Sequence, residues 1–311
     1  MIDPDVNMTR RSFLGTVGAL TSAMLLAPHL LSAEESCILL RPIPSSGERL
    51  PVVGMGTSRT FDVQGDAETM GQLAQVLEAF FDSGGRLIDS SPMYGSAESV
   101  VGELLGSERG KSRLFTATKV WTDGRTDGIA QMERSIQRLG VDVIDLMQIH
   151  NLRDWKTHLP VLREWKQKGR IRYIGITTSH GRDHEALAQI LRTETLDFVQ
   201  FSYNIEDRTA EERLLPLAAD QGIAVLINRP FQRGSLFHKT RGHQLPAWSA
   251  EIDCHSWAQF FLKFIIAHPI VTCVIPATSK VKHMTDNMAA GVGRLPDADM
   301  RRRMVAHVSA L

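Results

Sequence analysis

The sequence predicts one closed sheet of eight parallel strands wrapped in helices, a (β/α)8 barrel, and three observations predict it. Short runs rich in Val, Ile and aromatic residues alternate with longer segments of helical spacing, which is the order of parallel β/α construction. Gly84 with Gly85, and then Gly140, Gly169 and Gly222, each follow a helical segment and precede an apolar run, where a left-handed glycine ends a helix. Residues 34–311 also come close to the roughly 250 residues of such a barrel.

In chain order the strands are expected at 52–57, 87–89, 114–119, 143–150, 171–177, 198–202, 223–227 and 271–275. Helices are expected at 67–81, 97–105, 127–139, 159–168, 183–191, 211–219, 254–266 and 281–290, with a last one at 299–307. An insertion after the seventh strand, from Asn228 to about Asp253, carries Arg229, Arg233, His238, Lys239, Arg241 and His243, with Trp248 and Trp257 in or just beyond it. Its plain reading is an ordered surface excursion. No GxGxxG follows a strand with an acidic residue at the right distance, and no GxxxxGK[ST] occurs, so a doubly wound nucleotide fold is the weaker architecture. The fold class is α/β, a single TIM barrel.

Residues 1–33 read as an export signal and not as fold. Thr9-Arg10-Arg11-Ser12-Phe13-Leu14 precedes an uncharged run over 15–31 that ends in Leu31-Ser32-Ala33, the three parts of a secretory leader. The arginine pair followed by Phe-Leu resembles the twin-arginine class. It implies recognition by the Tat translocation machinery, export of a folded chain to the periplasm, and a cytoplasmic location if the leader does not function. Gly, Ser, Thr, Pro28 and His29 in the run argue against a stable membrane span after processing.

The composition of 43% hydrophobic and 23% charged residues is that of a globular protein. Lys plus Arg and Asp plus Glu are 35 each, so no global field draws the chain to nucleic acid. Cys37, Cys254 and Cys273 form no metal-ligand spacing and read as free or buried thiols. No metal site is expected. His180 and His184 are four apart, but no Glu follows His180 as HExxH requires.

Four polar residues fall at or just beyond the ends of successive strands: Asp89, Tyr94, Lys119 and His150. In a parallel barrel those ends converge on one mouth. Hydride reduction of a carbonyl needs a proton for the developing alkoxide, and a free tyrosine of pKa about 10 is a weak donor near neutrality. Lys119 beside Tyr94 is expected to lower that pKa, Asp89 to fix the lysine, and a neutral His150 to orient the carbonyl oxygen.

With those residues in place, the chain resembles the aldo-keto reductase family over nearly all its length after the leader. The segments that carry the likeness are Gly54-Met55-Gly56-Thr57, Asp89-Ser90-Ser91-Pro92-Met93-Tyr94-Gly95, Thr118-Lys119, Leu146-Met147-Gln148-Ile149-His150 and Ile174-Gly175-Ile176-Thr177-Thr178. Gln200-Phe201-Ser202-Tyr203-Asn204, Ile275-Pro276-Ala277-Thr278-Ser279-Lys280 and Asp286-Asn287 complete it.

The resemblance implies reduction of an aldehyde or ketone with NADPH, NADH being possible, and Tyr94 as proton donor tuned by Lys119 and Asp89. It implies that Thr177, Thr178 and Gln200, with Thr57 nearby, face the nicotinamide, and that Thr278, Ser279, Lys280, His283 and Asn287 face the adenosine half. Asn228 and Arg229 stand where members usually present a stacking aromatic, with Phe231 a possible substitute. Thr178 replaces an amide, and Ala277 and His283 replace basic residues of the phosphate pocket. A second reading, a nicotinamide-cofactor-binding or partner-regulating barrel with little turnover, draws on the altered Asn228-Arg229 segment. The expected partners are a small carbonyl substrate and the export machinery, and the expected state is a monomer.

Overall fold

The computed structural model describes residues 37–63, 65–106 and 113–311; the leader read over residues 1–33 lies outside them. The described chain opens with an antiparallel hairpin, β1 (Leu40–Pro42) and β2 (Arg49–Pro51). Eight parallel strands follow: β3 (Met55–Gly56), β4 (Leu87–Asp89), β5 (Phe115–Val120), β6 (Ile144–Ile149), β7 (Ile171–Thr177), β8 (Phe198–Ser202), β9 (Ala224–Asn228) and β10 (Val271–Val274). They pair in sequence order from β3 to β10. The ring closes because Val53 bridges Val274, with the Gly54 N–H donating to Val274 O at 2.9 Å and the Gly56 N–H to Pro276 O at 3.0 Å.

The outer helices are α1 (Ala67–Asp82), α2 (Ala97–Leu105), α3 (Arg125–Leu139), α4 (Trp155–Gln167), α5 (His184–Thr193), α6 (Leu214–Asp220), α7 (Ser235–Lys239), α8 (Trp257–Ile266), α9 (Val281–Ala289) and α10 (Ala298–Ser309). Capping sets several of their starts: Asp66 accepts from Thr69 N at 3.0 Å and Ser256 from Gln259 N at 3.0 Å, while Asp297 accepts from Met300 N at 2.8 Å. Gly140 ends α3 in the left-handed conformation, φ 65°, where a side chain would be strained.

Period-two alternation decides the interior. Leu87 and Asp89, then Phe115, Ala117 and Lys119, then Leu146, Gln148 and His150 follow one another at every second position along their strands and are buried. Lower down, Phe115, Tyr173 and Phe198 pack with ring centroids 5.5 to 6.1 Å apart. Each such ring contributes about 1.5–3 kcal/mol by leaving water. The layer above is polar, and the chemistry-bearing residues stand there.

Three expectations need correction. The first barrel strand is ladder-paired only at Met55–Gly56 beyond the Val53 bridge. The helix expected at 211–219 is a 3-10 turn (Thr209–Glu211) followed by α6, because Glu211 is held by Tyr203 and by Arg301 at 2.6 Å. The hairpin was not anticipated. It plugs the lower end with Ile43 and Leu50, both fully buried, and Tyr173 Oη donates to Glu48 Oε2 and is hydrogen-bonded to Ser46 Oγ, at 2.8 Å each.

The insertion is ordered, as expected, and packs inward through Leu236 and Ile252; Trp248 lies 5.7 Å from Phe260. No helix among the described residues is long and apolar enough to cross a membrane. Cys37 is exposed, Cys254 and Cys273 are buried, and all are free thiols.

Phe198→Ala should leave a cavity between Phe115 and Tyr173 and cost about 3–5 kcal/mol. Urea unfolding read by circular dichroism checks this. A loss below about 1 kcal/mol, less than a deleted ring in a packed core costs, would show that the aromatic layer is not tightly packed.

Candidate active site

The polar layer is organised around Asp89, at the end of β4. Lys119 extends from β5 in the adjacent register and is fully buried. Its Nζ meets Asp89 Oδ2 at 2.5 Å and donates to Ser90 O at 2.7 Å. The other carboxylate oxygen accepts from Gln148 Nε2 at 2.9 Å and Gln200 Nε2 at 3.1 Å. The two amides are themselves joined at 3.1 Å. Gly175 makes room for this: a Cβ there would stand 2.9 Å from Gln148 Cγ and 3.3 Å from Phe198 Cβ.

Tyr94 follows β4 in a loop and is half-buried. Lys119 Nζ lies 5.2 Å from its ring centroid, and the His150 ring meets it edge-on at 5.9 Å. Thus the four strand-end residues do come together, along with Ser90, Ser91, Gln148 and Gln200. Gln148 was not singled out from the sequence, although it stands two residues before His150 and therefore faces the same way.

The electrostatics differ in one respect from expectation. Burial raises the Tyr94 phenol above its ordinary value, and Lys119 only opposes that rise. The phenol is therefore protonated at neutral pH. Burial disfavours the Lys119 ammonium, but Asp89 with Tyr94 outweighs it and the lysine titrates above its usual range. Burial, followed by the Lys119 charge, holds His150 down at about 3. The imidazole is neutral. Ser91 Oγ stands 3.2 Å from His150 Nδ1; with the hydroxyl donating, the ring proton sits on Nε2.

An open cavity of about 720 Å³ runs from Asp89, Tyr94 and His150 past Thr57, Thr177, Thr178 and Gln200 to Asn228, Arg229 and Phe231. A second, of about 310 Å³, is lined by Thr278, His283, Asp286 and Asn287 and shares Phe231, Phe237 and Ala277 with the first. The two form an elongated cleft across the barrel mouth. Thr178 Oγ1 is buried without a partner, an unmet polar group of the kind a bound carboxamide satisfies. These features fit an extended dinucleotide.

Other expected cofactor residues are partly committed to the protein. Thr57 Oγ1 donates to Asp89 O at 3.1 Å, and Thr177 Oγ1 accepts from Asn151 N at 3.1 Å. Gln200 lines the cavity, yet its amide nitrogen serves Asp89. Asn228 Nδ2 donates to Thr178 O at 2.9 Å and Asn228 Oδ1 accepts from Ser202 at 2.7 Å. Phe231 packs on Phe237 at 4.8 Å and walls both cavities. Ser279 and exposed Lys280 stand at the start of α9 and line neither cavity. Arg59, Met93, His180 and Arg233 line the first and were not picked out as site residues.

The family model described as "Aldo/keto reductase family" matches residues 52–304, which takes in every strand of the barrel. The chain belongs to the aldo-keto reductase family. It is an oxidoreductase of that type. Among its relatives, methylglyoxal reductase YeaE of Escherichia coli is 28% identical over 256 residues, covering 81% of this chain and 89% of the relative. Glyoxal reductase of Bacillus subtilis is 26% identical over 246 residues, covering 78% and 83%. The solved aldo/keto reductase from Klebsiella pneumoniae, in complex with NADP and acetate, superposes with a TM-score of 0.72 at 23% identity, over 84% of this chain and 93% of that one. That likeness confirms the barrel.

The low His150 value predicts a pH signature. The folded state holds the imidazole at about 3 against an ordinary 6.5, so the unfolded chain binds a proton first as pH falls. The stabilising contribution is complete above 6.5 and is lost progressively down to about 3, at a slope of up to about 1.4 kcal/mol per pH unit. His150→Gln should lose stability less steeply across that window in urea unfolding at stepped pH. Equal slopes would place the imidazole in a far less buried setting.

Proposed function

We propose that this chain reduces a small aldehyde or ketone to the alcohol with a nicotinamide cofactor, NADPH preferred and NADH accepted, Tyr94 supplying the proton. The observation that carries this reading is the junction of Tyr94, Lys119, Asp89 and His150 at a cavity of about 720 Å³ that shares Phe231, Phe237 and Ala277 with a second of about 310 Å³. The bound reduced nicotinamide supplies a hydride to the carbonyl carbon.

The residues do the rest. The carbonyl oxygen is received between the Tyr94 hydroxyl and neutral His150, which donates a hydrogen bond without competing as an acid. As negative charge develops on that oxygen, the Tyr94 proton moves to it. The nearby Lys119 ammonium stabilises the phenolate left behind, and Asp89 keeps the ammonium in place. Burial keeps Tyr94 protonated beforehand, so the resting protein is set for reduction. Thr178 and Phe231 would hold the nicotinamide end, with Thr57, Thr177, Gln200, Asn228 and Arg229 around it, and Thr278, His283 and Asn287 would hold the adenosine end, with Ser279 and Lys280 beside it outside the cavity lining. The activities named for the two bacterial relatives support a small aldehyde or dicarbonyl as substrate.

We propose also that the leader directs the folded, monomeric chain through the twin-arginine route to the periplasm. Arg10 and Arg11 before an uncharged run support it. Replacing both by Lys should keep the chain in the cytoplasmic fraction; unchanged distribution on fractionation would remove the proposal.

Tyr94→Phe should lower kcat/KM for aldehyde reduction about a hundredfold to ten-thousandfold, the usual scale of a lost general acid. Fluorescence titration should show that NADPH still binds. Full turnover in the variant would overturn the assignment of Tyr94, and absence of NADPH and NADH binding to the wild type would overturn the reductase reading itself.

A further inference from the structure

Asp89, Gln148 and Gln200 come from β4, β6 and β8, alternate strands of the ring, the arrangement by which a barrel fills one layer of its interior. Such layers are ordinarily built of branched apolar side chains. Here the layer holds a carboxylate and two amides, and Gln148 is its middle member, fully buried. It stands in register with Lys119 of β5 on one side and with Gly175 of β7 on the other. Lysine and glutamine therefore enter the barrel side by side at one level.

They divide Asp89 between them. Lys119 Nζ takes Oδ2 at 2.5 Å, and Gln148 Nε2 donates to Oδ1 at 2.9 Å. The direction of the glutamine is fixed as well. Its Oε1 accepts from Gln200 Nε2 at 3.1 Å, and Gln200 Oε1 accepts from Asn228 Nδ2 at 3.2 Å, so turning either glutamine over would set oxygen against oxygen. Gln200 Nε2 is shared between Asp89 and Gln148, whereas among the described residues Gln148 Nε2 serves Asp89 alone. The torsion that turns a carboxylate about its last bond is soft. Without the Gln148 bond the Asp89 carboxylate could turn, and the ammonium it holds would turn with it.

We propose that Gln148 is a positioning residue for the proton transfer: it pins the Asp89 carboxylate so that the Lys119 ammonium stays beside Tyr94. The proposal rests on the reductase reading. Gln148 lines neither cavity and acts through Asp89. Its amide also turns the positive end of its dipole toward that carboxylate. Burial raises the Tyr94 phenol, Lys119 opposes the rise and Asp89 adds to it; with the amide gone, more of the Asp89 charge bears on the phenol.

Gln148→Met removes the donor at similar volume, and Gln148→Asn draws the amide back by one methylene, so a fold that does not tolerate one can be tested with the other. Circular dichroism checks that each variant is folded, and fluorescence titration should show wild-type affinity for NADPH. Single-turnover reduction of 4-nitrobenzaldehyde by bound NADPH should then slow about tenfold or more in Gln148→Met, the scale of one hydrogen bond to a charged group, and by less in Gln148→Asn. NMR of protein labelled with ¹³C at the tyrosine ζ carbon should show the Tyr94 midpoint moved upward in both.

A folded variant that reacts at the wild-type rate overturns the proposal. So does a slower variant whose Tyr94 midpoint is unmoved or lowered, because a glutamine that merely fills the layer would slow the reaction without acting on the phenol; weakened NADPH binding in that variant would trace the loss to the cofactor cleft through Gln200. The NMR arm needs no turnover. Should the wild type reduce none of a panel of aldehydes and ketones, the reductase reading falls, and a raised Tyr94 midpoint in the variants still keeps Gln148 as the residue that holds the pair in place. An unmoved midpoint in that case overturns this role too.

Discussion

Asp89 and Lys119 lie inside the barrel, where neither can carry its charge unless the other does. Removing two ions from water costs several kcal/mol each, and their attraction compensates only if the remaining polar atoms are also satisfied. Here the second carboxylate oxygen receives two glutamine amides and the ammonium takes a further carbonyl. Such an arrangement is poor evidence for stability. It is good evidence for a fixed positive charge, held beside a phenol and a neutral imidazole.

The strand pattern makes this possible. The inward side chains change from Phe115, Leu146 and Phe198 to Lys119, Gln148 and Gln200 within a residue or two of the strand ends. The apolar layers and the hairpin plug carry the cost of ordering, and the polar layer is held from below by packing and from the sides by hydrogen bonds. The outer wall of the mouth is formed by loops, where Arg59, Arg229 and Arg233 have left-handed backbone.

Much of this was legible in the sequence. The strands and helices repeat with periods that depend only on residue type, so β4, β7 and β8 fall at their expected bounds, and Asp89, Lys119 and His150 could be assigned to strand ends. The hairpin was missed because three-residue strands carry too few alternations to be seen. Gln148 shares the inward parity of His150 and was recoverable from that alone. The sign of the Tyr94 shift was not, because it depends on how much water the fold removes around the ring against one nearby charge. Arg59 and Arg233 were also hidden, being ordinary loop residues until the fold brings both to the lining of one cavity.

The central claim, that the buried lysine acts on the tyrosine, is testable without turnover. The chain has 3 tyrosines, and burial pushes the other two, Tyr173 and Tyr203, upward as well. NMR of protein labelled with ¹³C at the tyrosine ζ carbon would follow Tyr94 individually as pH is raised. The wild-type midpoint should lie above the ordinary tyrosine value, and in Lys119→Met it should lie higher still because the opposing charge is gone. A Tyr94 titration that is unchanged or lowered by Lys119→Met would contradict the account.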